Sequence, residues 1–280
     1  MIKSILVTLD GSEHAQTAAR YAIWLAERLQ ATVVGMHVVD VVSIEGSGAF
    51  LHDVSGSLGF EPYLDFSSKM REALQTRGNV LLEQFLAACA ERGVRADTHL
   101  ATGIVANEIC EQARTADVVV LGHRGLNERF STGLLGGTTE SVTRKCPKPV
   151  LVSPMEFGPI TRPLLAYDGS PRAAAAMHEA AELATALHLP LTVLHVGKDD
   201  AAEQRVVDEA RRYLATHRVE TEIVTRAGYA NETILEVMND GKHDLLMIGA
   251  YGHSRIIEMV LGSTTEYVLR NATAPVFLCR

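Results

Sequence analysis

The sequence lacks the excess of basic residues that most nucleic-acid-binding proteins carry. Its 280 residues include 26 Lys and Arg against 34 Asp and Glu, a formal net charge of −8 at pH 7. A general nucleic-acid binder normally presents a basic surface, so we expect no nucleic-acid partner. The same charge is compatible with a small anionic ligand, because backbone amides and single arginines can hold phosphate on an acidic protein.

Long apolar runs and a secretion signal are also missing. No apolar run approaches the roughly 18 residues that a membrane-spanning helix needs, so we expect no membrane partner. The opening MIKSILVTLDG leads directly into strand-like sequence without the apolar core of a signal peptide. Cys89, Cys110, Cys146 and Cys279 show no CxxC spacing, and we interpret them as buried, reduced thiols. We therefore predict a cytoplasmic protein without a metal site.

Several catalytic signatures are absent. The chain contains no GxxxxGK[ST] phosphate loop, which disfavours an energy-transducing ATPase. No HIGH-like or SGGxDS-like motif of nucleotidyl-transfer enzymes follows the first strand, and no Ser-His-Asp or Cys-His arrangement is indicated by order or spacing. The sequence therefore names no catalytic residue.

What the sequence does contain is an internal repeat. The segment SILVTLDGSEHAQ, which begins at Ser4, is echoed by PLLAYDGSPRAAA from Pro163, and ADVVVLGHRG, TTE-x-V-x-R and KPVLVS each have a counterpart in the second half. A composition of 47% apolar and 21% charged residues is typical of globular proteins, and this length accommodates about two domains. We predict two copies of one domain, residues 1–153 and 162–280, joined by the proline-rich SPMEFGPITRP.

One insertion breaks the symmetry of the repeat. His37 and Val94 are 57 positions apart, whereas His195 and Val219 are 24 apart, so the first copy carries 33 extra residues. They fall at about residues 41–73 and are rich in Gly and Ser. This composition predicts a loop or short lid without regular secondary structure.

Each copy alternates continuous apolar runs with amphipathic stretches. Runs such as ILVTL and DVVVLG are typical of strands that are covered on both faces. Ser12 and Ser170 stand where helix N-caps belong, and Pro171 suits the first position of a helix. Alternation of this kind indicates an α/β fold with a parallel, doubly wound, Rossmann-like sheet in each copy. We expect five strands in each sheet.

Ligands of such sheets bind beyond the carboxyl ends of the strands. Three segments converge there in each copy: the Asp-Gly-Ser after strand one, the His-Val pair ending strand two, and the glycine-rich loop that leads into a Gly-Ser/Thr helix start. Glycine lets a backbone approach a ligand, and the amides of a helix start favour phosphate. The segments therefore predict a cradle for a phosphorylated ligand, although Asp-Gly-Ser is also good turn chemistry. His37 and His195 are interpreted as core histidines, and His123 and Arg124 as loop cations that are solvated or contact phosphate.

The second copy reads Gly249-x2-Gly252-x9-Gly262-Ser263. This pattern resembles the ATP-binding signature of the universal stress protein family. The resemblance covers the whole chain as two fused domains, because DGS, the His-Val pair, the glycine signature and a terminal PV strand each occur twice. The first copy departs from the pattern: ten residues separate Gly125 from Gly136, and Gly137 stands where Ser is expected.

The resemblance implies an ATP site, with or without Mg²⁺, in each copy. Asp10 and Asp168 would face the adenosine end of the ligand, and the backbone at Val38 and Val196 would contact adenine. The remaining residues would line the phosphate paths: Gly122, Gly125, Gly136, Gly137, Thr138 and Thr139 in the first copy, and Gly249, Gly252, Gly262, Ser263, Thr264 and Thr265 in the second.

The resemblance also implies an internal pseudo-dimer, because family members commonly pair through their last strands, here Val150–Val152 and Val276–Leu278. We expect a stress-linked sensor or regulator that binds an adenine nucleotide, hydrolyses ATP slowly at most, and in addition could form a homodimer. One alternative is a family member with one or both sites empty that acts as a protein-interaction module. Another is an enzyme that uses the insertion as a lid.

Overall fold

A computed structural model describes residues 1–42, 64–126, 135–198, 200–250 and 262–280. Strands and helices alternate through the first half of the chain. They are β1 (Ser4–Thr8), α1 (Glu13–Leu29), β2 (Thr32–Asp40), α2 (Leu64–Glu91), β3 (Ala96–Gly103), α3 (Val105–Gln112), a 3₁₀ turn (Ala113–Thr115), β4 (Val118–Gly122), α4 (Gly137–Lys145) and β5 (Val150–Ser153).

The second half repeats this order. Its elements are β6 (Pro163–Ala166), α5 (Pro171–Leu187), β7 (Leu191–Val196), α6 (Ala201–Leu214), β8 (Thr221–Arg226), α7 (Ala230–Asp240), β9 (Leu245–Gly249), α8 (Ser263–Asn271) and β10 (Val276–Cys279). The predicted N-caps are confirmed, because the Ser12 and Ser170 hydroxyls accept from the amides of Ala15 and Ala173, each at 3.1 Å. Pro171 is the first residue of its helix.

The ten strands of the described residues form one continuous sheet in the order β3-β2-β1-β4-β5-β10-β9-β6-β7-β8. Every pairing is parallel except that of β5 with β10, which is antiparallel and aligns Val152 with Val276, Leu151 with Phe277 and Val150 with Leu278. The predicted pseudo-dimer is thus confirmed, with the two five-stranded sheets joined edge to edge. Joining them satisfies the backbone groups that each edge strand would leave unpaired.

Two hydrophobic cores lie on opposite faces of this sheet. Ile5 and Val7 belong to one core and Leu6 to the other, as the alternation of side chains along a strand requires. Helices α1, α2, α5 and α6 pack on the first face, and α3, α4, α7 and α8 on the second. Each core runs through both halves, so the halves share their hydrophobic interior.

The prediction of an irregular insertion is wrong for its last part. Residues 43–63 lie outside the described residues, but α2 begins at Leu64 and so includes residues 64–73. The stretch KMREALQ consists of good helix formers, and it continues into buried Leu82, Phe85 and Cys89. The glycines and serines that suggested a loop lie mostly before it.

Within the described part of the chain, no helix has the combination of length and apolar character needed to span a membrane. All four cysteines are free thiols. Three are buried as predicted, whereas Cys110 on α3 is only half-buried.

Candidate functional site

The carboxyl ends of the strands open onto a cavity in each half. The first has a volume of about 340 Å³ and the second about 270 Å³. Six predicted residues line the first cavity: Asp10, Val38, Gly122, Gly125, Thr138 and Thr139. Six line the second: Asp168, Val196, Gly249, Gly262, Thr264 and Thr265. The topology therefore brings together segments that are up to 129 positions apart in the first half, from Asp10 to Thr139.

Four predicted residues are not among these linings. Gly136 is the N-cap of α4, and Gly137 and Ser263 are the first residues of α4 and α8. They lie at the helix starts that the adjacent threonines bring to each cavity. Gly252 lies outside the described residues.

Asp10 links two of the converging segments. Its Oδ1 accepts from the amide of Ser12 at 2.8 Å, and its Oδ2 accepts from the amide of Leu126 in the glycine loop at 3.0 Å. Asp168 accepts from the amide of Ser170 at 2.9 Å in the same turn geometry. The aspartates thus shape the turn and also border the cavity.

Gly122 and Gly249 are required by packing. A Cβ on Gly122 would lie 2.8 Å from the backbone carbon of His14, and one on Gly249 would lie 2.5 Å from that of Arg172. Both contacts are closer than real Cβ atoms make. The start of α1 therefore packs directly on the end of β4, and the start of α5 packs directly on the end of β9. This close packing at the floor of each cavity requires a residue without a side chain.

Helices α4 and α8 direct their amino termini toward the cavities. A helix start carries unsatisfied N–H groups and a partial positive charge. The buried Thr139 hydroxyl donates to the carbonyl of Gly122 at 2.8 Å, which ties α4 to β4. Thr138 is exposed and Thr264 half-buried at the same cavities.

Both histidines at the ends of β2 and β7 are hydrogen-bonded within the fold. His37 Nδ1 lies 2.5 Å from the carbonyl of Leu9, and His195 Nδ1 lies 2.9 Å from that of Tyr167. His195 is buried, and its Nε2 lies 2.6 Å from Glu203 Oε2. Both rings hold neighbouring strands together. His195 is a core histidine as predicted, whereas His37 is half-buried and lines the first cavity. No cluster of three or more metal-ligating side chains occurs among the described residues.

Arg77 reaches the first cavity from α2, a position that was not predicted from the sequence. Its Nη2 lies 3.4 Å from the carbonyl of Asp10, and Leu74 lines the same cavity one turn earlier. The offset between Val94 and Val219 already aligned α2 with α6, so a comparison of the two helices could have found it. At the aligned position the second half has Ala202.

The cations around the two cavities differ in other ways. Arg124 lines the first cavity and Arg172 the second, while the residue that aligns with Arg172 in the first half is His14. Burial and the neighbouring positive charge of Arg124 lower the pKa of His14. His14 Nδ1 is buried and has no hydrogen-bond partner among the described residues, so the doubly protonated, charged ring is disfavoured.

Hydrogen bonds between described residues connect each half to helix α4 or α8 of the other half. His123 Nε2, directly after β4, lies 2.6 Å from the carbonyl of Leu269 in α8. Arg280 donates from Nη2 to the carbonyl of Arg144 in α4, also at 2.6 Å. His123 of the first half thus contacts the last turn of α8, whose start lies at the second cavity. Arg280 of the second half contacts the last turn of α4, whose start lies at the first cavity.

Comparisons with known proteins agree with this architecture. The profile of the Universal stress protein family matches residues 1–154 and 197–280. Universal stress protein Slr1230 of Synechocystis sp. is 31% identical over 100% of this chain and 100% of its own. Universal stress protein MJ0531 of Methanocaldococcus jannaschii is 33% identical over 54% of this chain and 82% of its own. A universal stress protein structure from Archaeoglobus fulgidus covers 99% of this chain and 98% of its own, with a TM-score of 0.76 and 21% identity.

The chain belongs to the universal stress protein family, as two family domains in tandem. The solved structure shows the same fold over nearly the whole length. Family and fold are thereby shown, as the sequence resemblance implied.

Proposed function

We propose that the chain is a cytoplasmic regulatory protein that binds an adenine nucleotide, ATP alone or with Mg²⁺, in each half. The observation that carries the proposal is the meeting of aspartate, valine, glycine and threonine at one cavity, twice, in the order of the family signature. Both cavities lie at the carboxyl ends of parallel strands, where ligands of such sheets bind.

The chemistry of the linings supports an anionic ligand. In the described part of each cavity, the groups that can meet phosphate include helix-start amides, threonine hydroxyls and one or two arginines. The apolar side chains of Ile109 and Val105 in the first cavity, and of Ile234 in the second, offer a surface for the base. Thr138 and Thr264 would hold phosphate, and Val38 and Val196 would lie beside adenine.

The same groups favour binding over turnover. Amides and hydroxyls that contact ground state and transition state alike give affinity without acceleration. The carboxylate of Asp10, which bonds to the amide of Leu126 in the glycine loop, already accepts two backbone amides. We propose that hydrolysis, where it occurs, is far slower than the roughly 1 s⁻¹ of slow ordinary enzymes, and that partners read the nucleotide-bound state.

The helix start of α8 allows a sharp test. Among the described residues, a Cβ on Gly262 would have no neighbour closer than Thr265 Oγ1 at 3.9 Å, and Gly262 is an N-cap with φ −59°. Gly262→Asp therefore places a carboxylate where phosphate would sit, while aspartate itself is a favourable N-cap. Calorimetric titration should show about a tenfold or greater loss of ATP affinity at the second site.

Gly262→Ala is the matched control, because it adds the Cβ without the charge. The proposal expects this variant to keep most of its affinity and Gly136→Asp to weaken the first site in the same way. Unchanged ATP binding in both aspartate variants would contradict the placement of the phosphates. Absence of nucleotide binding by the unmodified protein would favour a protein-interaction module instead.

A further inference from the structure

Two of the four thiols lie in contact where α3 packs against α4. Cys110 is half-buried on α3, and Cys146 is the buried C-cap residue of α4. Their side chains are hydrogen-bonded to one another. Both also pack in the same hydrophobic core.

The surroundings activate one sulfur of this pair. The hydrogen bond from Cys110 lowers the pKa of Cys146 to about 7, against the opposing effect of burial, with help from the Lys148 amide and the Arg280 charge. The same hydrogen bond and burial raise the pKa of Cys110. The pair thus carries a single negative charge at a pH where the other thiols are neutral, since burial raises the pKa of Cys89 to about 11 and that of Cys279 as well.

We propose that Cys110 and Cys146 are a reactive thiol pair that low-molecular-weight disulfides oxidise to a disulfide between α3 and α4. The pair goes beyond the nucleotide-binding function and does not depend on it. Cys110 provides the accessible sulfur, and Cys146 provides the second sulfur from inside the core. Closing the bond brings the two sulfurs from hydrogen-bond contact to about 2 Å.

The chemistry balances in two steps. Cys110 Sγ attacks one sulfur of the oxidant, passes its proton to the Cys146 thiolate and releases one thiolate of the oxidant. Cys146 Sγ then loses that proton to the solvent and attacks Cys110 Sγ, forming the protein disulfide and releasing the second thiolate. The protein loses two electrons, and one molecule of oxidant becomes two thiols.

The second half of the chain lacks this pair. The residues that align with Cys110 and Cys146 are Leu235 in α7 and Ala272, the C-cap residue of α8. Both pack against the same hydrophobic core as the thiols. Since α3 contributes Val105 and Ile109 to the first cavity and α4 contributes its two threonines, oxidation would tie together two walls of the first cavity only.

The test uses the reduced full-length protein and glutathione disulfide as the oxidant. After treatment at pH 7.5 and quenching with iodoacetamide, we expect the loss of two of the four free thiols. Peptide mass spectrometry should show the tryptic peptides of Cys110 and Cys146 linked, and dithiothreitol should separate them. Cys89 and Cys279 serve as internal controls and should stay alkylatable after unfolding.

A Cys146→Ala variant supplies the second readout, because alanine is the residue the second half uses at this position. It should stop at a glutathione adduct on Cys110, which shows that Cys146 resolves the intermediate. Four alkylatable thiols after treatment of the unmodified protein would overturn the proposal. A stable glutathione adduct on Cys110 in the unmodified protein would also overturn it, because Cys146 would then not act.

Discussion

The two halves of the chain share a backbone plan but present different polar groups to their cavities. Where the first half has Arg77 and Gly78, the second has Ala202 and Glu203. Glu203 meets His195 at 2.6 Å, whereas the His37 ring packs so closely on Gly78 that a Cβ there would lie 2.5 Å from it. The aligned histidines are thus stabilised differently, by a carboxylate in one half and by packing in the other.

This comparison separates what the fold requires from what the site can vary. Gly122 and Gly249 occur in both halves because a helix backbone lies against each. The groups around the cavities differ because they face open space, where a change costs little stability. We therefore expect substitutions of the packed glycines to change stability alike in the two halves. Substitutions of the residues that face the cavities should affect ligand binding differently in the two halves.

The largest effect should come from the shared glycines. Gly122→Ala and Gly249→Ala should each lower the free energy of unfolding by about 1–3 kcal/mol, because the methyl group overlaps the backbone of His14 or Arg172. Urea denaturation would measure it. Gly158→Ala is the control, because its Cβ would meet no described residue within 4 Å, and it should change stability by less than about 0.5 kcal/mol. Equal stability of all three variants would contradict the packing account.

The next effect should distinguish the two sites. Arg77→Ala removes a cation from the first cavity and should weaken ATP binding there by about tenfold, as expected for a charge-assisted hydrogen bond. Calorimetric titration in the Gly262→Asp background isolates the first site. Arg77→Lys should restore part of the affinity, and Ala202→Arg should strengthen the second site in the Gly136→Asp background. Identical titrations for Arg77→Ala and its parent would show that Arg77 does not face the ligand.

Turnover should be low in both halves. Phosphate release from purified protein with ATP and Mg²⁺ should stay well below about 1 s⁻¹. The Asp10→Ala/Asp168→Ala double variant should lose affinity rather than a catalytic rate. Rapid hydrolysis that this double change abolishes would identify an ATPase and refute the regulatory account.

The smallest effect concerns His14. The aligned residue of the second half is Arg172, so only the first half has a histidine at this position. Burial and Arg124 lower its pKa in the folded state, so the unfolded chain binds the proton more readily. Its contribution to stability is complete above about pH 6.5 and falls as the pH drops below that value. Denaturation of His14→Gln should therefore show a shallower loss of stability from pH 7 to pH 5 than the unmodified protein. An equal slope would show that His14 does not contribute.

Much of the fold could be predicted because the same pattern of apolar runs and helix caps occurs in both halves of the chain. The apolar runs and the Ser12 and Ser170 caps are local signals, and local signals identify strands and helix starts well. The β5–β10 junction came from the family resemblance and was confirmed by its register. The start of α2 at Leu64 was not predicted, because the many glycines and serines before it indicated a loop for the whole insertion.

The site was harder to predict because it depends on tertiary placement. Cys110 and Cys146 are 36 positions apart and show no motif, so only the packing of α3 on α4 reveals their contact. Arg77 enters the first cavity from a helix that the glycine signature does not include. The glycines at 122 and 249 were predicted for approach to a ligand, whereas the structure shows an additional requirement, the close approach of a helix.

The central claim is that the chain holds one adenine nucleotide in each half. Native mass spectrometry tests it most directly, on the protein as purified and after addition of ATP. We expect a co-purifying adenine nucleotide or, after titration, two bound ATP molecules per chain, reduced to one by Gly262→Asp or Gly136→Asp and retained by Gly262→Ala. A chain that stays free of nucleotide throughout the titration would contradict the claim.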